Sequence, residues 1–139
     1  MTLGWFAYAL LGAVCFSALF FVMKYLGAMG YSEVSILTAI FVIGSVAFIA
    51  HHLIVREQLP MGTKAVLLLI IAGVCVYLGN LFFTRSLLRA PNPGYTVAVD
   101  ASKVVLTTVG AVLLFSNKVT GLKILGMALI LVGIVLLGL

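Results

Sequence analysis

LLFSNKVTGLKILGMALILVGIVLL, residues 113–137, decides the fold. An apolar run ends at Phe115, a short polar turn SNKVTG (116–121) follows, and a second apolar run continues to the end of the stretch. Upstream, the first run reaches back to residue 94 with little interruption. A helix that crosses a bilayer needs about 20 mostly apolar residues, and both runs meet that length. A turn this short makes them antiparallel neighbours. Alternating strand patterns are absent, and an open sheet edge has no partners for its backbone groups in lipid. The stretch therefore reads as two spans of a helical membrane bundle.

The same test extends along the whole chain. Its 139 residues are 65% hydrophobic and 8% charged, with a mean hydropathy of +1.36. A soluble domain carries about 25% charged residues, so the charge available here is too little to cover a globular surface. Five spans result: residues 4–27, 33–54, 65–88, 94–116 and 120–138. GAMGYSE (27–33), REQLPMGTK (56–64) and RAPNPG (89–94) separate the first four. Pro91 disfavours helix in the residue before it, and Pro93 suits the first turn of the next helix. The fold class is all-α, an integral membrane bundle of five transmembrane helices forming a single domain over 1–139. The N-terminal segment MTLGWFAYALLG has no basic residue ahead of its apolar run, which predicts a retained span rather than a cleaved signal peptide.

The net charge of +5 comes from eight Lys/Arg against three Asp/Glu. The basic residues stand singly around the spans, without the runs or aromatic interleaving that nucleic-acid binding requires, so they read as helix-end anchors and orientation signals. A cytoplasmic N-terminus places Arg56, Lys64, Lys118 and Lys123 inside and Lys24, Arg85 and Arg89 outside. That narrow margin fits insertion in either orientation. Lys24, Arg85 and Arg89 lie near helix ends, from which they can snorkel to the headgroups. His51 and His52 read as interface histidines. Cys15 and Cys75 lie mid-span without a metal-ligand or redox spacing and read as small packing residues.

The polar residues inside the spans carry the functional question. In the fourth span Thr96, Asp100, Lys103, Thr107 and Gly110 recur at spacings of four and three, which puts them on one helix stripe. At about 1.5 Å per residue, Lys103 lies roughly 13 Å and Asp100 roughly 9 Å inside a helix of about 34 Å. Each charge at a helix centre costs on the order of 3 kcal/mol on insertion scales. Two readings follow. The stripe faces a polar cavity and handles a substrate or ion, or the two charges neutralise each other at i, i+3 and fix helix packing. The third span has its own stripe of Gly73, Tyr77, Asn80 and Thr84, and the first places Ala13, Ser17, Phe20 and Lys24 on one side. Asp100, Lys103, Asn80, Tyr77, Thr107 and Ser17 are the candidate pathway residues. Gly126 and Gly133, seven apart in the fifth span, predict a close helix contact within the bundle or between subunits. No GxSxG, HExxH or Walker pattern occurs, so the sequence points away from an enzyme and calls for no cofactor or metal.

Three stretches resemble one five-helix half of the EamA-like drug/metabolite transporter superfamily. FSALFFVMKYLGAMGYS (16–32) is similar to the family's first helix with Lys24 near its end, TRSLLRAPNPGYTVAV (84–99) to the junction of the third and fourth helices, and the opening stretch to the end of the fourth helix, the turn and the fifth helix. The chain departs from the pattern in reading SKVVLTT where relatives often have a Pro, Ser116-Asn117-Lys118 where they often have Gly-Glu-Arg, and Ile40 where many have an Arg. The resemblance implies a multi-pass secondary transporter of a small metabolite or amphipathic compound in the plasma or inner membrane. The usual relative holds two inverted halves, so it also implies alternating access as an inverted homodimer. Asp100, the one carboxylate inside a span, is the expected site of any proton coupling. A flippase for lipid-linked headgroups and a non-transporting membrane subunit are the alternatives. The expected partners are a small-molecule substrate, the lipid bilayer and a second copy of the chain.

Overall fold

The computed structural model describes residues 4–56, 58–59 and 62–138. Six helices follow one another: α1 Trp5–Ala28, α2 Glu33–Val55, α3 Thr63–Arg89, α4 Pro93–Asp100, α5 Lys103–Phe115 and α6 Gly121–Gly138. Among the described residues there is no strand. Four segments, of 23 to 27 residues, have the length and hydropathy of a membrane span, the fourth of them running from Pro93 to Phe115 through α4 and α5. The fifth, α6, has 18 residues, about 27 Å at 1.5 Å per residue and so close to the thickness of a bilayer core. The five-span, all-α reading therefore holds.

The ends of these helices follow from local chemistry. Gly30 adopts φ +92° just after α1, where a side chain would strain the backbone, and its N–H donates to the Gly27 carbonyl at 3.0 Å. The Ser32 hydroxyl caps α2 by accepting from the Ser35 N–H at 3.2 Å. Asn92 caps α4 through Oδ1, which accepts from the Gly94 N–H at 2.8 Å, with Pro93 in the first turn. Arg56 and Ser116 end α2 and α5 in the left-handed conformation, at φ 56° and 54°.

One expected helix is two. The fourth span, read from sequence as continuous over 94–116, is interrupted between α4 and α5. Ala101 and Ser102 stay helical, at φ/ψ of −61/−16° and −56/−25°, but these angles belong to the tighter 3₁₀ turn. The hydrogen bonds tighten with them: Ser102 N–H donates to Val99 O at 3.0 Å, Val104 N–H to Ala101 O at 3.0 Å and Val105 N–H to Ser102 O at 3.1 Å. No Pro or Gly marks the break. Its signal is weaker: a serine that competes for backbone partners, followed by Val104, Val105, Thr107 and Thr108, whose branched side chains crowd a helix.

The chain forms two compact units, residues 1–89 and 90–139. In the first, α1 and α2 both pack against α3 and against each other. Its buried centre is small and lies at one end: Met23, Ile36, Leu37, Thr84 and Leu87. Leu19, Phe20, Leu81, Phe83 and Leu88 pack around it, with the Phe20 and Phe83 rings 4.8 Å apart. A Cβ on Gly27 would overlap the side chain of Leu88, so α1 lies close on α3 here. In the second unit α6 packs against α4. Most other apolar side chains are exposed, the expected state for helices whose outer faces meet lipid or another membrane helix rather than water.

Candidate functional site

The tight turn in the fourth span sets the geometry of its charged pair. Residues three apart eclipse one another in a 3₁₀ turn, and the turn at Ala101–Ser102 separates Asp100 from Lys103 by that interval. The Lys103 ammonium donates to Asp100 Oδ2 at 2.5 Å. Each residue carries the charge that its own helix end disfavours. Asp100 closes α4, where the dipole is negative, and Lys103 opens α5, where it is positive. The pair offsets this conflict. It remains accessible, with 69% of the lysine side chain and 35% of the aspartate exposed in the isolated chain, so an incoming charged group could reach either member. One turn beyond, Val104, Thr107, Ala111 and Met127 line a cavity of about 450 Å³ between α5 and α6. Thr96, the stripe's first member, is buried.

The remaining candidates lie in the first unit. Asn80 donates from Nδ2 to the Val76 carbonyl at 2.8 Å, and the Ser17 hydroxyl donates to the Ala13 carbonyl at 2.8 Å. Both satisfy themselves one turn back along their own helix, as Thr108 does on Val104 at 2.7 Å in the second unit. This is the ordinary solution for a lone polar side chain in a membrane helix. Tyr77 is 61% exposed and lines a groove of about 340 Å³ between α2 and α3 with Thr38, Phe41 and Gly73.

Two cations read from sequence as able to reach headgroups bind groups of the protein itself. The Lys24 ammonium donates to the carbonyls of Leu87, at 3.2 Å, and Leu88, at 2.9 Å. It thus caps the last turn of α3, where orphan carbonyls and the negative dipole end favour a cation. Arg85 Nε donates to Glu33 Oε1 at 2.9 Å and ties α3 to the first residue of α2. The connections 27–33 and 89–94 both turn at this end, so sequence topology could have placed Lys24, Glu33 and Arg85 together. Thr84 lies within the same end, fully buried, with no hydrogen-bond partner for its hydroxyl among the described residues.

The expected close approach at the fifth-span glycines is not found among the described residues, where a Cβ at Gly126 or Gly133 would meet nothing within 4 Å. Gly126 instead widens the α5–α6 cavity. No group of three His, Cys, Asp or Glu side chains converges among the described residues, and Cys15 and Cys75 are exposed free thiols.

No curated protein and no solved structure shows significant similarity to the chain. The model of the EamA-like transporter family matches residues 3–139, almost its full length. With apolar helices of spanning length and this match, the chain is a multi-pass membrane protein that belongs to the EamA-like transporter family.

Proposed function

We propose that the chain is one half of a secondary transporter, moving a small metabolite or amphipathic compound across the plasma or inner membrane by alternating access against an inverted copy of itself. The observation that carries this reading is the tightened turn at Ala101–Ser102, flanked by the accessible Asp100–Lys103 pair. Membrane carriers build substrate and ion sites at such discontinuities, where backbone groups leave the regular helical ladder near mid-membrane. A short stretch of 3₁₀ within a helix also marks a place where it can bend. Asp100 and Lys103 contact the substrate or coupling ion, and Thr107 extends the polar wall toward the α5–α6 cavity. Tyr77, Asn80 and Ser17 take a lesser part. The self-contained bonds of Asn80 and Ser17 suit helix packing as well as a pathway.

Transport into proteoliposomes tests the reading, with a panel of small metabolites and amphipathic cations under an imposed proton gradient. Asp100→Asn leaves the fold intact and removes one charge-assisted contact, so transport of the accepted substrate falls by about tenfold or more. Strong transport that the substitution leaves unchanged removes the pair from the pathway. A second reading, a flippase for lipid-linked headgroups, draws on the cavity between α5 and α6, and flipping of a fluorescent lipid without metabolite uptake would favour it.

A further inference from the structure

We infer that the cavity between α5 and α6 is a binding site for an anionic phospholipid, its phosphate held by Lys118 and Lys123 and an acyl chain lying between the helices. The cavity has about 450 Å³ and is graded along its length. One end holds Lys118, in the connection 116–120, and Lys123, in the first turn of α6. Beyond them its walls are mainly apolar, with Val104 and Ala111 on α5 and Met127 and Ile130 on α6, interrupted on α5 by Thr107 and Thr108. From Lys123 to Ile130 the slot runs about 10 Å along the helix axis. Gly126 keeps it open, because nothing lies within 4 Å of where its Cβ would stand. Two cations at the mouth of an apolar slot, at a helix end, match a phosphate joined to a hydrocarbon chain. Basic pockets between membrane helices take anionic headgroups for this reason.

Charge selects the occupant. Neither Lys118 nor Lys123 makes an ion pair among the described residues. Among the described residues, a second copy of the chain brings little to neutralise them. Of its three carboxylate side chains, Glu33 is held by Arg85 and Asp100 by Lys103, while Glu57 lies outside the described residues. The surrounding bilayer supplies the missing anion. The cavity shares Thr107 with the transport reading, but its lysines lie outside the Asp100–Lys103 pair, so lysine substitutions and Asp100→Asn test the two conclusions separately.

The test uses the full chain in nanodiscs of phosphatidylglycerol and phosphatidylcholine, with retained lipid measured by native mass spectrometry after extraction. Each lysine near the surface contributes about fivefold to anionic-lipid affinity, so Lys118→Gln with Lys123→Gln reduces the phosphatidylglycerol preference by about 30-fold. Lys118→Arg with Lys123→Arg retains the preference and shows that charge rather than lost folding is responsible. Lys64→Gln, at the other connection on the same side of the chain's topology, also retains it. Gly126→Leu fills the slot and lowers retention of both lipids. An undiminished preference in the double glutamine variant overturns the assignment. So does inorganic phosphate displacing the lipid as well as a competing phosphatidylglycerol does, or a photocrosslinker at Met127 capturing a second copy of the chain in place of lipid.

Discussion

Replacing Lys24 by methionine separates two accounts of a cation near a helix end. If Lys24 serves the headgroups, the substitution is neutral or slightly stabilising, since methionine is the better residue in hydrocarbon. If it serves α3, the substitution uncovers the carbonyls of Leu87 and Leu88, which it binds at 3.2 and 2.9 Å. Leu87 is fully buried, so water does not readily replace the ammonium. A hydrogen bond from a charged donor contributes about 1.5 to 3 kcal/mol, and a cation at a helix C-terminus adds about 0.3 to 1 kcal/mol. Two bonds from one amine are not additive, and lysine gives up side-chain entropy of about 2 kcal/mol when fixed. The net expectation is a loss of about 2 to 3 kcal/mol. Reversible unfolding in mixed detergent or bicelles measures it, with Lys24→Arg as the charge-retaining comparison and Lys64→Met as an exposed cation in the first turn of α3. A Lys24→Met change below about 0.5 kcal/mol, the ordinary scatter for surface sites, would falsify the capping role.

Other outcomes follow from the same structure. Thr84→Val keeps the shape of a fully buried side chain and removes a hydroxyl without a partner, so it raises stability by about 1 kcal/mol in the same unfolding assay; a loss would mean that the hydroxyl is satisfied. Ser116→Gly relieves a left-handed residue at φ 54° and stabilises by up to about 1 kcal/mol, whereas Gly30→Ala at φ +92° costs about 1 kcal/mol or more. Reversing the cross-helix pair through Glu33→Arg with Arg85→Glu recovers part of the stability that either single change removes, and a double variant no better than the worse single one would show the contact to be dispensable. Amide hydrogen exchange in nanodiscs is faster at residues 101–105 than at the centre of α3, and uniform protection along the fourth span would argue against a flexible turn.

The legible and illegible features divide along a physical line. Span length and the chemistry of turns act locally, so RAPNPG and GAMGYSE announce their helix ends through Pro93, Asn92 and Gly30. The i, i+3 spacing of Asp100 and Lys103 similarly made their contact readable without knowledge of a neighbouring helix. The break between them is harder to see because Ala101 and Ser102 remain in the helical region: Ala101 N–H shares Val97 O (i−4) with Ala98 O (i−3), and Ser102 N–H bonds Val99 O (i−3). For Lys24 a lysine's reach permits several partners, and only tertiary packing selects the carbonyls of Leu87 and Leu88. Gly126 and Gly133 carried a spacing that fits close packing, but spacing does not say which helix occupies the face, and at Gly126 an open cavity lies there.

Charge distribution connects these observations. The chain has eight Lys/Arg for three Asp/Glu, and the two acids in the described residues are each taken by one base, Arg85 and Lys103. The surplus cations therefore need partners other than carboxylates. In water a lysine could leave its charge to solvent, but beside a hydrocarbon core it must find a fixed acceptor or reach the interface. Lys24 finds the carbonyls at the end of α3, so the backbone itself acts as its anion. Lys118 and Lys123 make no ion pair among the described residues and line the cavity between α5 and α6. A cation bound to fixed carbonyls closes a bundle. Two cations at the end of the slot between α5 and α6 suit the proposed ligand, one that carries its own negative charge.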